Sequence, residues 1–391
     1  MMPSALGQGL RTARHEVSTV CADASASPCL GTLWAWFQTS STSGASPIKL
    51  SWLPSTSPRG ELRVDIPPGL PTHRPPPPPP GPRVPAMPIA TAALGNPTLN
   101  MFRNSNVLSD LTSLFSVEGL VAVVTGGGTG IGLMIAKALE HNGAIVYIVS
   151  RRLDVLEAAA SEHNRRGNLI PLQGDVTDRE SMQAVAETIR ERHGYINLLV
   201  NNAGLAKNFL PKLPGPGEVD IKKYQEMLWN AGTPQDFSDA FDVNVSAVWY
   251  NAVCFLDLLD AGNKRGNTPG VSSQILTVAS GGAFRKDDKV FSVSYTLSKS
   301  AATHLGKMLA HFLKDWQIRS NVIAPGIFPS EMVDGLISEE YVRASVPLHR
   351  AGTIDDMGGL VLFLSSRAGA YLNGTVQLID GGRLLLYPSS Y

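Results

Sequence analysis

The chain runs to 391 residues and balances 33 basic against 33 acidic side chains, for a formal net charge of +0. That balance excludes a global field drawing the chain to nucleic acid or to an acidic membrane, and no apolar run reaches the roughly eighteen residues that a membrane span requires. The three cysteines, Cys21, Cys29 and Cys254, have no metal-ligand spacing and suit a reducing compartment, so no metal site is expected.

Residues 1–105 are rich in Pro, Ser, Thr and Gly and keep no sustained period, which predicts a disordered Pro/Ser-rich tail. Pro75 to Pro80 favour an extended polyproline helix, read here as a linker, with a ligand for an aromatic-groove adaptor domain as the other reading. Arg11 and Arg14 resemble a mitochondrial presequence, but Glu16 and Asp23 follow closely, so the expected location is cytoplasmic with the mitochondrion as alternative. Globular patterning begins just after Met101, which raises Met101 as an alternative biological start. Residues 106–391 are expected to form one α/β domain.

A first strand is predicted over 120–125. It runs into the turn Gly126-Gly127-Gly128-Thr129-Gly130-Ile131-Gly132, and a helix follows to about Asn142. Strand, glycine turn and helix N-terminus in that order let backbone N–H groups face a pyrophosphate, with the helix dipole favouring its charge. A second strand over 144–150 ends in Ser150-Arg151-Arg152, with no acid until Asp154. A carboxylate at that point binds a ribose 2′-hydroxyl, whereas a guanidinium forks onto a 2′-phosphate, so the expected cofactor is NADP(H) rather than NAD(H).

A helix over 153–164 leads to a third strand over 169–173 and then Gly174-Asp175-Val176, where Asp175 either meets the adenine amino group or caps a turn. Thr177 and Glu180 read as a capping box opening a helix to about His193. The alternation of strand and helix implies a parallel sheet with right-handed crossovers. The fourth strand, over 196–200, ends in Asn201-Asn202-Ala203-Gly204, small and amide residues beside which a cofactor can pass close to backbone. The stretch 205–239 reads as a long binding loop with a short helix over 221–229. A single long helix over 238–261 carries Asn244 among apolar neighbours. The fifth strand, over 274–278, ends at Ser280, and Tyr295 and Lys299 share one face of a following helix that runs to about Trp316.

Four residues carry the chemistry. An ammonium beside a phenol favours the phenolate, so Lys299 is expected to lower the pKa of Tyr295 and fit it for proton exchange with a substrate oxygen while hydride moves at carbon. Ser280 is placed to hydrogen-bond the same oxygen, and Asn244 to hold a water relaying protons through Lys299.

Together these motifs resemble the short-chain dehydrogenase/reductase family over about 120–384. TGxxxGxG matches Thr125, Gly126, Gly130 and Gly132; NNAG matches Asn201 to Gly204; YxxxK matches Tyr295 and Lys299; Pro325-Gly326 and Asp380-Gly381-Gly382 match the later PG and DGG patterns. The resemblance implies a doubly wound Rossmann fold with a seven-stranded parallel sheet in the order 3-2-1-4-5-6-7. It also implies catalytic Asn244, Ser280, Tyr295 and Lys299. The implied cofactor site takes Gly126, Gly128 to Gly132, Ser150 to Arg152, Asp175, Val176, Asn202 to Gly204, Tyr295, Lys299, Pro325 to Ile327 and Ser330, which stands at the family's nicotinamide-contacting Thr. A sixth strand over 318–324, a mobile substrate flap over 331–346 that reads as a helix of mixed polarity, a helix capped by Thr353 and Asp356, and a seventh strand over 376–379 complete the expectation. The gap from Ser280 to Tyr295 is a residue or two longer than usual in the family, and the insertion after Gly204 is long.

The function expected is a ketoreductase interconverting a ketone and a secondary alcohol with NADP(H), on a 3-oxoacyl, polyketide-like or other apolar carbonyl. Phe284, Phe291, Ile327, Phe328 and Met332 are the candidate pocket wall. The expected partners are that small carbonyl or alcohol substrate and a second copy of the chain, as a homodimer or homotetramer, because the helices bearing Asn244 and Tyr295 are apolar on more than one face. A non-catalytic cofactor-binding scaffold or sensor is the rival reading.

Overall fold

In a computed structural model the described residues are Lys49–Trp52, Leu62–Asp65 and 110–391 save 216, 333, 334 and 336. The chain divides into two units, Met1–Gly95 and Asn96–Tyr391. Within the first, Lys49–Trp52 and Leu62–Asp65 pair antiparallel, with Lys49 opposite Asp65, an element that the tail's composition did not lead us to expect. The proline run, Arg11, Arg14, Met101, Cys21 and Cys29 lie outside the described residues.

The second unit grows from β1 (Val121–Thr125), all five residues of which are buried. A strand covered on both faces needs no alternation, which is why Val121 to Val124 is continuously apolar. Around it stand β2 (Ile145–Ser150), β3 (Leu169–Gln173), β4 (Leu198–Asn201), β5 (Gln274–Val278), β6 (Arg319–Pro325) and β7 (Val376–Ile379). They form one seven-stranded sheet in the order β3-β2-β1-β4-β5-β6-β7, parallel at every pairing. That is the expected doubly wound order. It places a crevice at the carboxyl ends of β1 and β4, where the direction of winding reverses.

Helices cover both faces. On one side α1 (Gly130–His141) and α2 (Leu153–His163) pack Ile135, Leu139 and Leu156 against the sheet. On the other, Met182 and Ile189 come from α3 (Arg179–Arg192). The insertion after β4 carries α4 (Ile221–Trp229), at the expected bounds, and α5 (Pro234–Phe241) follows it. Then come α6 (Ala247–Cys254), α7 (Leu256–Arg265), and α8 (Val293–Phe312), which bears the Tyr–Lys pair. The last two are α9 (Glu339–Ser345) and α10 (Ile354–Ser365), and Met357, Val361 and Leu364 of α10 join the face of α1.

Three expectations need correction. The single helix over 238–261 is three pieces. A π turn, Asp242–Ser246, separates α5 from α6, and α6 ends at Cys254 before α7 begins. The box proposed for Thr177 and Glu180 is absent. Asp178 caps α3 instead, accepting from the amides of Glu180 and Ser181, while Thr177 turns back to donate to Asp175 Oδ1 at 2.7 Å. Among the described residues of the flap, only α9 is helical, seven residues long. By contrast the reciprocal box of Thr353 and Asp356 opens α10 as expected.

Candidate active site

The glycine turn is shaped by contact as well as by conformation. Gly126 has φ +62°, a region that side chains disfavour. At Gly132 a Cβ would fall 2.2 Å from the Gly126 carbonyl oxygen and 2.4 Å from Asn202 Nδ2, so nothing larger than hydrogen fits. Asn202 belongs to this lock: its Nδ2 donates to the carbonyls of Thr125, at 2.9 Å, and Gly126, at 3.2 Å. Thr125 Oγ1 accepts from the amides of Asn202, at 3.0 Å, and Ala203, at 3.2 Å. The two motifs at the ends of β1 and β4 are thus one structure, with the Asn202 side-chain amide holding the turn. Beyond the turn, Thr129 caps α1 without any side-chain hydrogen bond, so the first amides of α1 keep their donors for an anion. A Cβ at Gly130 would lie 2.9 Å from Ser330 Cβ, which sets Ser330 directly over the turn.

At the end of β2, Arg151 is exposed and makes no ion pair among the described residues. Arg152 is engaged: its guanidinium donates to Glu331 at 2.8 Å, joining β2 to the start of the flap. Ser150 Oγ donates to the Arg152 carbonyl. Asp175 Oδ1 accepts from the Thr177 amide at 2.9 Å as well as from its hydroxyl, so that oxygen caps a turn, the second of its two expected roles. Pro325-Gly326 closes against the later turn, since a Cβ on Gly326 would meet Asp380 Cα at 2.6 Å. Gly128, Ile131, Val176 and Ile327 flank these segments, Gly128 packing on Val155 and Leu156.

The catalytic candidates converge at the carboxyl end of β5. Ser280 stands two residues beyond that strand, its Oγ accepting from the Gly282 amide at 3.0 Å, and its hydroxyl is near enough to the Tyr295 phenol to influence its titration. Ser292 caps α8 by accepting from the Tyr295 amide at 3.1 Å, which fixes where the phenol emerges. Lys299 Nζ donates to the Val278 carbonyl at 2.8 Å and lies 5.8 Å from the centre of the Tyr295 ring. Gly204 completes the group: a Cβ there would come within 3.3 Å of both Asn244 Oδ1 and Lys299 Nζ.

The electrostatics correct the sequence expectation. Burial pushes the Tyr295 phenol above its ordinary value, opposed by the neighbouring Ser280 hydroxyl; Lys299 is not among the causes. The same burial lowers the Lys299 ammonium to about 8. Two desolvated groups respond first to the loss of water, and each shifts toward its neutral form.

Asn244 also differs from expectation. Fully buried within the π turn, its Nδ2 donates to the Leu205 carbonyl at 2.8 Å and to Ser298 Oγ at 2.9 Å. Its Oδ1 accepts from the Leu205 amide at 2.9 Å. The side chain therefore staples the segment after Gly204 to α8, and only its remaining acceptor capacity is open to a water relay. Ser298, Glu331 and Phe209 escaped the sequence reading. Ser298 had a signal, a hydroxyl on the Lys299 side of an apolar helix; the other two lie in irregular segments that offer none. Of the expected pocket wall, Phe328 is only 3% exposed and belongs to the core, packed against Gly352. Phe284 packs edge-on against Tyr391 at 4.8 Å, and Phe291 against Tyr295 at 5.1 Å.

Sheet order, glycine turn and the Ser–Tyr–Lys cluster together define a dinucleotide-binding α/β oxidoreductase. A family model described as short chain dehydrogenase matches residues 120–340. The chain is 45% identical over 291 residues to the short-chain dehydrogenase/reductase PhomF of Diaporthe leptostromiformis, a match covering 71% of this chain and 96% of that protein. It is 30% identical over 273 residues to the rhamnolipids biosynthesis 3-oxoacyl-[acyl-carrier-protein] reductase of Pseudomonas aeruginosa, covering 68% and 97%. Among solved structures, the Pseudomonas aeruginosa RhlG/NADP active-site complex superposes with a TM-score of 0.58 at 28% identity, over 70% of this chain and 99% of that one. The chain belongs to the short-chain dehydrogenase/reductase family, whose oxidoreductases work with a nicotinamide cofactor.

Proposed function

We propose that this chain is an NADP(H)-dependent ketoreductase that reduces an apolar ketone to a secondary alcohol. The observation that carries the reading is the placement of Ser280, Tyr295 and Lys299 at one strand end, across the crevice from an uncapped helix N-terminus. When bound, the nicotinamide supplies the hydride. The chain's own groups then handle the oxygen: Ser280 donates a hydrogen bond to the carbonyl, and Tyr295 delivers its proton as negative charge develops there. Burial keeps the phenol in the neutral form that makes that donation, and NADPH as the hydride source favours reduction over oxidation. The Lys299 ammonium, anchored to Val278, would hold the nicotinamide ribose and stabilise the phenolate left behind.

The fit to NADP(H) rests on the Gly132 contact, the free amides of α1 and an Arg151 that makes no ion pair among the described residues. The RhlG complex with NADP is consistent with it. Arg151→Asp is expected to weaken NADPH binding at least tenfold relative to NADH, read as two dissociation constants by nicotinamide fluorescence; an unchanged ratio would remove Arg151 from the 2′-phosphate site. Glu331→Gln, which frees Arg152, is expected to shift the ratio the other way. Exposed Leu297, Met308 and Phe312 on α8, with Tyr250 and Val253 on α6, support assembly of two or four copies through these helices. A monomer by sedimentation at micromolar concentration would contradict it.

The rival reading, a scaffold that binds cofactor without turnover, leaves no reason for Ser280, Tyr295 and Lys299 to remain together. A panel of ketones with NADPH, followed at the nicotinamide absorbance, decides between them.

A further inference from the structure

The insertion after Gly204 brings a second phenylalanine to the site. Phe209 and Phe291 are stacked, with ring centres 5.8 Å apart and planes 29° apart, and Phe291 in turn meets Tyr295 at 5.1 Å and 46°. Both rings are solvent-facing, Phe209 at 48% and Phe291 at 42% exposure. Their position is built. Phe209 and Ser292 form an antiparallel bridge, and the Leu210 amide donates to the Phe291 carbonyl at 2.8 Å. Ser292 and Ser294 both donate to the Lys207 carbonyl, and the Lys207 ammonium pairs with Asp239. Ser292 is also the cap that sets the Tyr295 amide. The two rings are therefore in fixed register with the phenol.

We propose that Phe209 and Phe291 form a stacking shelf for the substrate, and that the substrate is a fused aromatic ketone, with a flat ring fused to the ring that carries the carbonyl. This deepens the ketoreductase reading and rests on it. A carbonyl oxygen meeting the Tyr295 hydroxyl leaves its neighbouring ring beside Phe291, whose ring centre lies 5.1 Å from that of Tyr295, and Phe209 continues the exposed aromatic surface outward. Offset stacking rewards a planar π face over a puckered ring of equal size. A linear acyl chain offers no such face. Beyond Phe209 lies an open groove of about 700 Å³, shared with Leu210, Pro211 and Met227, with room for substituents on the far ring.

The test compares 2-tetralone with 2-decalone, which share a skeleton and differ in one aromatic ring. The native protein is expected to favour 2-tetralone in kcat/KM. Phe209→Leu and Phe291→Leu, which keep apolar volume, are each expected to lower the tetralone-to-decalone ratio by about two- to tenfold, and Phe291→Tyr to restore it. Calorimetric binding of 2-tetralol and 2-decalol to the protein with NADP+ needs no turnover and is expected to show the same change in ratio. Ratios unmoved by either leucine variant, in kinetics and in binding, would overturn the shelf. Leucine variants that change the sedimentation coefficient and leave the ratios alone would assign the rings to a second copy and overturn it equally. Intact alcohol discrimination with no ketone reduced would instead sink the ketoreductase reading.

Discussion

Tyr295→Phe is expected to reduce kcat by about 10²–10⁴-fold, the usual contribution of a positioned general acid, with NADPH affinity and thermal stability close to native. The substitution removes one oxygen. The ring stays 8% exposed against Phe291, and the helix cap from Ser292 acts on backbone and is untouched. What disappears is the proton donor. Steady-state turnover with nicotinamide fluorescence as the binding control checks this. Native-like turnover in a protein that binds NADPH would take the phenol out of the chemistry.

Lys299→Met is expected to abolish most turnover and to reveal how a functional charge weakens the fold. The ammonium titrates at 10.5 in the unfolded chain and about 8 when folded, because burial disfavours its charge. Below about 8 both states hold the proton, and the folded state bears the full penalty of a buried charge, on the order of 3 kcal/mol. Between about 8 and 10.5 the unfolded chain holds a proton that the folded chain has released, so native stability rises with pH in that window. The methionine variant lacks the titration. It also leaves the Val278 carbonyl without its donor, an opposing loss of about 1–3 kcal/mol at every pH. The melting temperature of the variant minus that of the native protein is therefore expected to be greatest near pH 6–7 and to fall by several degrees as pH rises past 8. A difference that grows with pH would mean that Lys299 is stabilised as a cation in the fold.

Much of this was legible in the amino-acid order, for identifiable reasons. A strand buried on both faces, such as β1, has to be an apolar run, and the turns that end β1, β4 and β5 have to be small where backbones meet, so strand ends and glycine positions agree with expectation. Tyr295 and Lys299 share a face because helical spacing is fixed. What escaped is set by tertiary contact. A π turn at Asn244 adds a residue to one turn, and apolar periodicity cannot show it; its cause is the bonding of Asn244 to Leu205 and Ser298, far apart in sequence. Asp178 displaced Thr177 as the cap because Asp175 engages the threonine hydroxyl. The Tyr–Lys pair read as a local charge effect, whereas burial dominates both groups. Phe328 and Phe291 look alike in sequence, and only the contact with Gly352 sends one to the core while the bridge to Phe209 holds the other in the open.

The most direct test follows the hydride itself. The protein is incubated with a ketone and NADPH carrying deuterium at nicotinamide C4, prepared as each of its two stereoisomers, and the alcohol is analysed by mass spectrometry. Deuterium on the carbinol carbon from one isomer only, with the product lost in Tyr295→Phe, is the expected result. Alcohol without deuterium from either isomer, or formed equally well by the phenylalanine variant, would contradict the assignment of this site.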